Sequence, residues 1–405
     1  MIPLTYGTIL QHMLPPSTID TACKDFTQYP AYGITTSDDG NAINHILIAG
    51  DNLPIMQSLS DHGINGINAI YIDPPYNTGT HAFNYEDHYG SHDQWVDFMR
   101  PRLMLAHHML ADAGIIFISI DDHEQPYLRI LMNEIFGEDN FIGECVRKTK
   151  TTTNDTANGF NQQHDYLVIY GKSKASKLIG RPKDMSAYKN PDNDPRGAWK
   201  ASDSSANRGR PELNYFPITN PYTGQVDYPP HGSYWRFSIN TIQRHIDDGD
   251  IVFNTTIRNG RRGFIYKRHA KDIRNRYQSM NSLDGISPCF MNMQGRKDLR
   301  SVIDSAFSYP KSVDFIAYIM SFMPKDALIM DFFAGSGTTG QAIAEMNHED
   351  GGTRQIIMIT DEGGNDVARS ITSSRMRKVL SGNGWHDGKQ HPCLHQNLVY
   401  YSYGE

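Results

Sequence analysis

Apolar and polar positions along this chain follow two rhythms and, in one long stretch, neither. Gly66-Ile67-Asn68-Ala69-Ile70-Tyr71-Ile72 is a short apolar run that stops at Asp73, as a strand buried on both faces of a parallel sheet does. Trp95, Phe98, Met99, Arg102, Leu103, Ala106, Met109 and Leu110 then fall on helical spacing, and Gly114 leads into a second buried run, Ile115 to Ile120. A further helix is predicted with Pro126 near its start and Leu128, Leu131 and Ile135 on one face. Strand, helix, strand, helix implies a parallel sheet covered on both sides. Between about 145 and 300 the rhythm is lost: Asn, Gly, Pro, Arg and Tyr dominate, as in 188–197, and predict loops and short strands. From about Ser312 the first pattern resumes, with an apolar run at Ala327–Met330, a helix through Ala342 and Met346, another run at Gln355–Thr360 and a terminal strand over Asn397–Tyr401. The expected architecture is α/β, a doubly wound Rossmann-like sheet interrupted by an insert.

Composition adds limits. The 405 residues, 39% hydrophobic and 11% aromatic, can bury a sizeable core, which excludes a wholly disordered chain. No run of 18 apolar residues occurs and the N-terminus lacks the pattern of a secretory signal, so a cytoplasmic protein that spans no membrane is expected. Cys23, Cys145, Cys289 and Cys393 lie far apart, without the paired spacing of a disulfide framework or zinc site. His88 and His92 have the i, i+4 spacing of a metal-binding helix but no Glu between them and no evident third ligand, the group His386, His391, Cys393 and His395 matches no established finger, and no metal is expected.

The net charge of −7 hides an asymmetry: residues 145–300 hold 26 Lys and Arg against 14 Asp and Glu, a balance of +12, and the rest carries −19. A basic segment on an acidic body suggests that one region meets a polyanion. Within it Arg258, Arg261, Arg262, Lys267 and Arg268 are interleaved with Phe264 and Tyr266, a mixture suited to phosphate and base contact. These five are the candidate DNA-binding residues.

Two motifs carry chemistry. Asp331-Phe332-Phe333-Ala334-Gly335-Ser336-Gly337-Thr338-Thr339-Gly340 follows one apolar run and precedes a helix. Its glycines fit G-x-G-x-x-G, where missing side chains let backbone approach a ligand at a helix N-terminus. Asp361 and Glu362 end the next run, where an acid that binds ribose hydroxyls is expected. Alone, this motif leaves NAD, FAD and S-adenosylmethionine open. The second motif, Asp73-Pro74-Pro75-Tyr76, ends the other predicted strand. Two prolines remove two backbone donors and leave carbonyl acceptors. Asp73 with the Pro74 carbonyl could then hold an amine by its hydrogens, while Tyr76 stacks on a base swung out of a duplex.

These motifs, with Asn77-Thr78-Gly79 extending the second and Gly50-Asp51-Asn52-Leu53 upstream, resemble those of amino-group DNA methyltransferases. The order, catalytic motif first, is that of the β class, and 95–141 resembles type III modification subunits. The resemblance spans roughly 44–172 and 305–401 and implies the following roles. Asp73, Pro74, Pro75 and Tyr76 are catalytic. Asp51, Phe333, Gly335 and Gly337 contact S-adenosylmethionine, and Lys311 and Ser312 border it; their motif neighbours Asn52, Asp331, Ala334, Ser336, Thr338 and Thr339, with Asp361 and Glu362 at the next strand end, complete the candidate cofactor set. The chain then divides into an N-terminal extension (1–43), a catalytic half (44–144), a target-recognition insert (145–304) and a cofactor half (305–405). The implied activity is methylation of adenine N6 in double-stranded DNA by base flipping and direct attack of the amine. Cytosine N4 methylation, a nucleotide-dependent oxidoreductase and a non-catalytic DNA-binding regulator are the alternatives. A homodimer is a candidate assembly. Type III subunits usually continue well past the terminal strand, so a solitary enzyme is expected rather than one serving a restriction subunit.

Overall fold

The computed structural model describes residues 25–37, 42–79, 87–153, 159–257, 260–273, 276–305, 307–361 and 366–404. They fall into two compact units, the smaller being Pro182–Gln278.

In the larger unit nine strands among the described residues share one sheet. They are β1 (Phe26–Gln28), β2 (Asn44–Ala49), β3 (Ile67–Ile72), β4 (Leu110–Ile120), β5 (Phe141–Lys148), β6 (His164–Gly171), β7 (Leu328–Asp331), β8 (Gln355–Thr360) and β9 (Asn397–Tyr403). The spatial order is β1-β9-β2-β8-β7-β3-β4-β6-β5. The central six run parallel, and β1 at one edge and β6 and β5 at the other are antiparallel. The helices are α1 (Asn52–Asp61), α2 (His92–Met109), α3 (Gln125–Phe136), α4 (Asn292–Val302), α5 (Val313–Met320), α6 (Thr338–Asp350) and α7 (Ser374–Ser381), the last preceded by a π-helical turn, Val367–Ser373.

The continuous apolar runs are explained by burial on both sides. In β3, Ala69 and Tyr71 join the core layer that holds Ile316 of α5, Ile343 of α6 and Met376 of α7. Ile67, Ile70 and Ile72 join the opposite layer with Ile55 of α1, Trp95 of α2 and Leu128 of α3. Each fully buried Ile, Leu or Met among them contributes about 1.5–3 kcal/mol relative to exposure. Helix α2 begins in a capping box, Ser91 with Gln94, and runs through Pro101 to Met109. Strand β4 starts at Leu110, before the Gly114 expected to open it, and its register with β3 is irregular there.

The insert expected over 145–304 differs from the smaller unit. Strands β5 and β6 extend the main sheet, carrying Cys145, Leu167 and Ile169 into its core. The polar residues 149–163 between them hid that hairpin in the sequence. Pro182–Gln278 has its own small core of Ile218, Trp235, Ile242, Ile251 and Phe264. It contains a three-stranded antiparallel sheet of Ile251–Phe253, Phe264–His269 and Trp199–Ser202, and a helix, Ile239–Asp247. Among the described residues no helix is long and apolar enough to cross a membrane.

Chain direction places the site. From β7 the chain crosses through α6 to β8, and from β3 it crosses through α2 to β4 on the other side. The ends of β7 and β3 therefore flank a topological switch point, where open α/β sheets bind ligands.

Candidate functional site

A cavity of about 640 Å³ opens at those strand ends, within the range of small-molecule and cofactor pockets. Asp51 after β2, Asp73 after β3, Asp331 ending β7 and Asp361 after β8 all line it. Asn52, Phe333, Ala334, Gly335, Ser336, Thr338 and Thr339 line it too. Glu362 lies outside the described residues.

The glycine loop is shaped by particular contacts. Gly337 has φ +76° and caps α6, a conformation that other residues adopt at a cost. At Gly340 a Cβ would stand 2.5 Å from the Met358 sulfur and 2.7 Å from that of Met376, so glycine there lets α6 lie close against β8. Thr339 Oγ1 donates to Asp331 Oδ2 at 2.6 Å, and the Phe333 N–H donates to Oδ1 at 3.1 Å. Burial pushes the Asp331 carboxyl up to about 7, against the pull of those two hydrogen bonds.

Two arginines that the motifs did not single out as site residues hold the cavity wall. Arg375 of α7 is fully buried, and its Nη1 donates to Ser336 O and Oγ, both at 3.1 Å, and to Thr338 Oγ1 at 2.8 Å. The hydroxyls of Ser336 and Thr338 therefore brace the loop from behind. Burial lowers the Arg375 guanidinium to about 10. Arg102 donates through Nε to Asn52 Oδ1 at 2.6 Å and through Nη2 to Asp51 Oδ1 at 3.1 Å, and sits 3.7 Å from the centre of the Phe98 ring. Asn52 passes the link on, donating to Phe332 O at 2.7 Å. The signal was present: Arg102 is a cation on the apolar stripe of α2, where a buried charge needs a partner.

At the end of β3 the two prolines have different duties. The Pro75 carbonyl accepts from Trp95 Nε1 at 2.8 Å. The Pro74 carbonyl accepts no hydrogen bond from the described residues. Asn77, with φ +58°, turns the chain and donates to the fully buried Glu124 at 2.7 Å. Glu124 also meets His92 at 3.0 Å, which places His92 at the start of α2.

Lys311 and Ser312 part company. Ser312 is fully buried, donates to Cys289 O at 2.6 Å and caps α5 by accepting from the Phe315 N–H. It does not line the cavity. Lys311 lines the cavity, but its ammonium is committed to the catalytic motif: Nζ lies 2.6 and 2.7 Å from the two Asp73 oxygens and 2.9 Å from the Tyr76 hydroxyl. Tyr76 in turn donates to Asp73 Oδ1 at 2.9 Å. Besides its ring, Tyr76 therefore has its hydroxyl engaged, a role the motif alone does not reveal. Gly295 of α4 admits the Lys311 backbone, since a Cβ there would stand 2.1 Å from Pro310 O and 2.8 Å from Lys311 C.

The candidate DNA contacts also separate. Arg258 lies outside the described residues; Arg261 and Arg268 are exposed. Arg262 is half-buried, 3.0 Å from Asp203, with hydrogen bonds to Ser204 and Ser205. Lys267 is buried between Asp192 and Asp194, which satisfy its charge inside the unit and remove it from the set of accessible cations. In the C-terminal cluster, His391 stacks on Trp385 at 3.7 Å and pairs with Asp387. Among the described residues no group of three or more His, Cys, Asp or Glu side chains could hold a metal ion.

Residues 67–364 match the family model described as DNA methylase, the N6/N4 methyltransferases. The type II methyltransferase M.KpnI of Klebsiella pneumoniae is 36% identical over 332 residues, covering 76% of this chain and 79% of that protein. The Mod subunit of the type III restriction-modification enzyme StyLTI of Salmonella typhimurium is 30% identical over 361 residues, covering 80% of this chain. This chain spans only 53% of that subunit's length. Solved structures similar to it include the M1.HpyAVI–SAM complex, at 12% identity and a TM-score of 0.40 over 82% of this chain and 99% of that one. The cytosine-N4-specific PvuII DNA methyltransferase matches at 11% identity and a TM-score of 0.37, over 85% of this chain and 96% of that one.

Proposed function

Because the chain belongs to the family of amino-group DNA methyltransferases that act on adenine N6 or cytosine N4, we propose that it transfers a methyl group from S-adenosylmethionine to adenine N6 in duplex DNA. The observation that carries this reading is the junction of an acceptor-rich catalytic turn and a carboxylate-lined cavity at one switch point.

The cavity's charge favours S-adenosylmethionine over a dinucleotide. Among the described residues of the lining the cations Arg102 and Lys311 are paired with Asp51 and Asp73, so neither is free to meet a ligand's charge. A diphosphate would find no uncommitted cation among them to offset its charge; a sulfonium needs none. Asp361 stands at the end of β8, where a ribose hydroxyl would be held, and Phe333 offers a ring to an adenine. When bound, S-adenosylmethionine supplies an electrophilic methyl group.

The chain's own residues supply position. Asp73 and the Pro74 carbonyl accept the two hydrogens of the target amine, which aims the nitrogen lone pair toward the methyl donor. No covalent nucleophile is needed: once aligned, the amine nitrogen would bond to the methyl carbon as the methyl–sulfur bond breaks and a neutral thioether leaves, and the nitrogen's surplus proton would pass to an acceptor such as Asp73 or to solvent. The ring of Tyr76 stacks on the flipped base, a contact worth about 1–3 kcal/mol. Adenine is favoured over cytosine because the motif opens with Asp73, where the cytosine enzymes it resembles often have Ser. The exposed arginines of Pro182–Gln278, such as Arg261 and Arg268, are the proposed contacts to duplex DNA. Mass spectrometry of digested DNA after incubation with the protein and S-adenosylmethionine tests the reading. N6-methyladenine is expected; N4-methylcytosine would overturn the base assignment, and unmodified DNA the activity.

A further inference from the structure

Lys311, expected from sequence to border the cofactor, spends its charge elsewhere, and counting its donors shows the consequence. An ammonium carries three N–H groups. Three acceptors lie within reach: Asp73 Oδ1 at 2.6 Å, Asp73 Oδ2 at 2.7 Å and the Tyr76 hydroxyl at 2.9 Å. The Tyr76 proton goes to Asp73 Oδ1. Burial and the charge of Asp73 hold that phenol well above its ordinary value, so it stays a donor. Every side-chain donor of this trio is thus consumed within it. On the acceptor side, Oδ1 receives two hydrogen bonds and Oδ2 one, and the Pro74 carbonyl receives none from the described residues.

We infer that Lys311 is a positioning residue that fixes the Asp73 carboxylate with Oδ2 free to take the target amine, and that by exhausting the donors it makes the site select an amino group over a keto oxygen. The inference rests on the methyl-transfer reading and deepens it. A carboxylate oxygen accepts two hydrogen bonds, so Oδ2 keeps one place for an amine hydrogen. A keto oxygen brought to the same point meets two acceptors and no uncommitted side-chain donor of Asp73, Tyr76 or Lys311, and would be buried unpaired. The placement is built into the fold rather than left to a flexible side chain. Lys311 is 7% exposed, it directly precedes the Ser312 cap of α5, and Gly295 makes room for its backbone.

The test separates this role from a cofactor contact. In Lys311→Met, single-turnover methyl transfer should fall roughly 100-fold, as when one preorganised charge is removed from a reacting centre. Affinity for S-adenosylmethionine, measured by calorimetry, should change less than about threefold. Lys311→Arg should recover about tenfold of the lost rate, because a guanidinium can also bridge both carboxylate oxygens. Thermal denaturation of Asp73→Asn, Lys311→Met and the double variant reads the pairing without activity. The double variant should lose no more stability than the worse single one. On duplex DNA whose mapped target adenine is replaced by hypoxanthine, wild-type binding should weaken about tenfold. Tyr76→Phe returns one Lys311 N–H to the site and should narrow that gap. Rate and cofactor affinity falling together in Lys311→Met, additive stability losses, or a gap untouched by Tyr76→Phe would each overturn the inference. A wild-type chain that methylates no DNA while the stability coupling persists would overturn the methyl-transfer reading instead, and the intact coupling tells the two failures apart.

Discussion

The two units use charge in opposite ways. In the larger one, carboxylates gather at the C-terminal ends of adjacent strands and face a cavity, with Arg102 and Lys311 answering two of them. In Pro182–Gln278 much of the charge is turned inward. Asp194 meets Arg196 at 2.8 Å, Lys267 at 3.2 Å and His269 at 3.2 Å, while Asp250 meets Arg196 at 2.7 Å and His245 at 3.0 Å. The unit holds 16 Lys and Arg against 10 Asp and Glu, yet Arg196, Arg262 and Lys267 are spent on internal partners. Its small apolar core explains the arrangement, since a unit with few buried side chains is fixed in shape by directional polar contacts. A basic composition therefore overstates the surface offered to a polyanion.

Asp73→Ala should have the largest effect. Methyl transfer to DNA should fall by roughly 1,000-fold or more, while the melting temperature falls by only a few degrees, as in Lys311→Met, because one buried partner is left unpaired. Near-normal turnover in a radiolabelled methyl assay would remove Asp73 from the chemistry. Next comes Lys267→Met, which leaves Asp192 and Asp194 without their shared cation. It should lower the melting temperature of the smaller unit by roughly 5 °C and leave S-adenosylmethionine affinity unchanged. An unaltered melting curve combined with weakened DNA binding would return Lys267 to the DNA-contacting set. Arg261→Ala is milder: affinity for duplex DNA should drop several-fold and the salt slope flatten by about one unit if the contact is to phosphate. Titrations at two salt concentrations decide it.

The smallest effect concerns pH. A carboxyl raised to about 7 by burial, as at Asp331, binds its proton more tightly in the folded chain than in the unfolded one. The folded state then loses stability as pH rises from the ordinary carboxylate range toward 7. Asp331→Asn should flatten that slope by about 1–2 kcal/mol between pH 5 and 8, read from denaturant curves. Parallel curves for the two proteins would show that Asp331 does not titrate there.

What the sequence made legible follows the same division. The runs Ile67–Ile72 and Leu328–Asp331 announce buried strands because both faces are covered, and the residues after them must sit at the sheet's edge. The motif residues Asp73 and Phe333 to Thr339 are therefore placed by local pattern alone. Lys311 and Asp73 are 238 residues apart in the chain, and nothing local to either foretells their pairing. Ser312 reads as a neighbour of the cofactor until its role as a helix cap is visible. The hairpin of β5 and β6 was concealed by the polar segment joining its strands. Lys267 and Arg268 are adjacent and chemically alike, and only the fold shows that one is buried and the other exposed.

One detail of the smaller unit bears on how such enzymes change. The Lys183 N–H donates to the Arg276 carbonyl at 2.8 Å, so the chain enters and leaves Pro182–Gln278 at a single point. Both crossings of the switch point, β3 to β4 and β7 to β8, are complete without any residue of that unit. A segment whose two ends are fastened to each other behaves as a cassette. If the proposed DNA contacts lie in this unit, changes confined to it would alter the choice of target and leave the sheet's register and the reaction performed on it untouched.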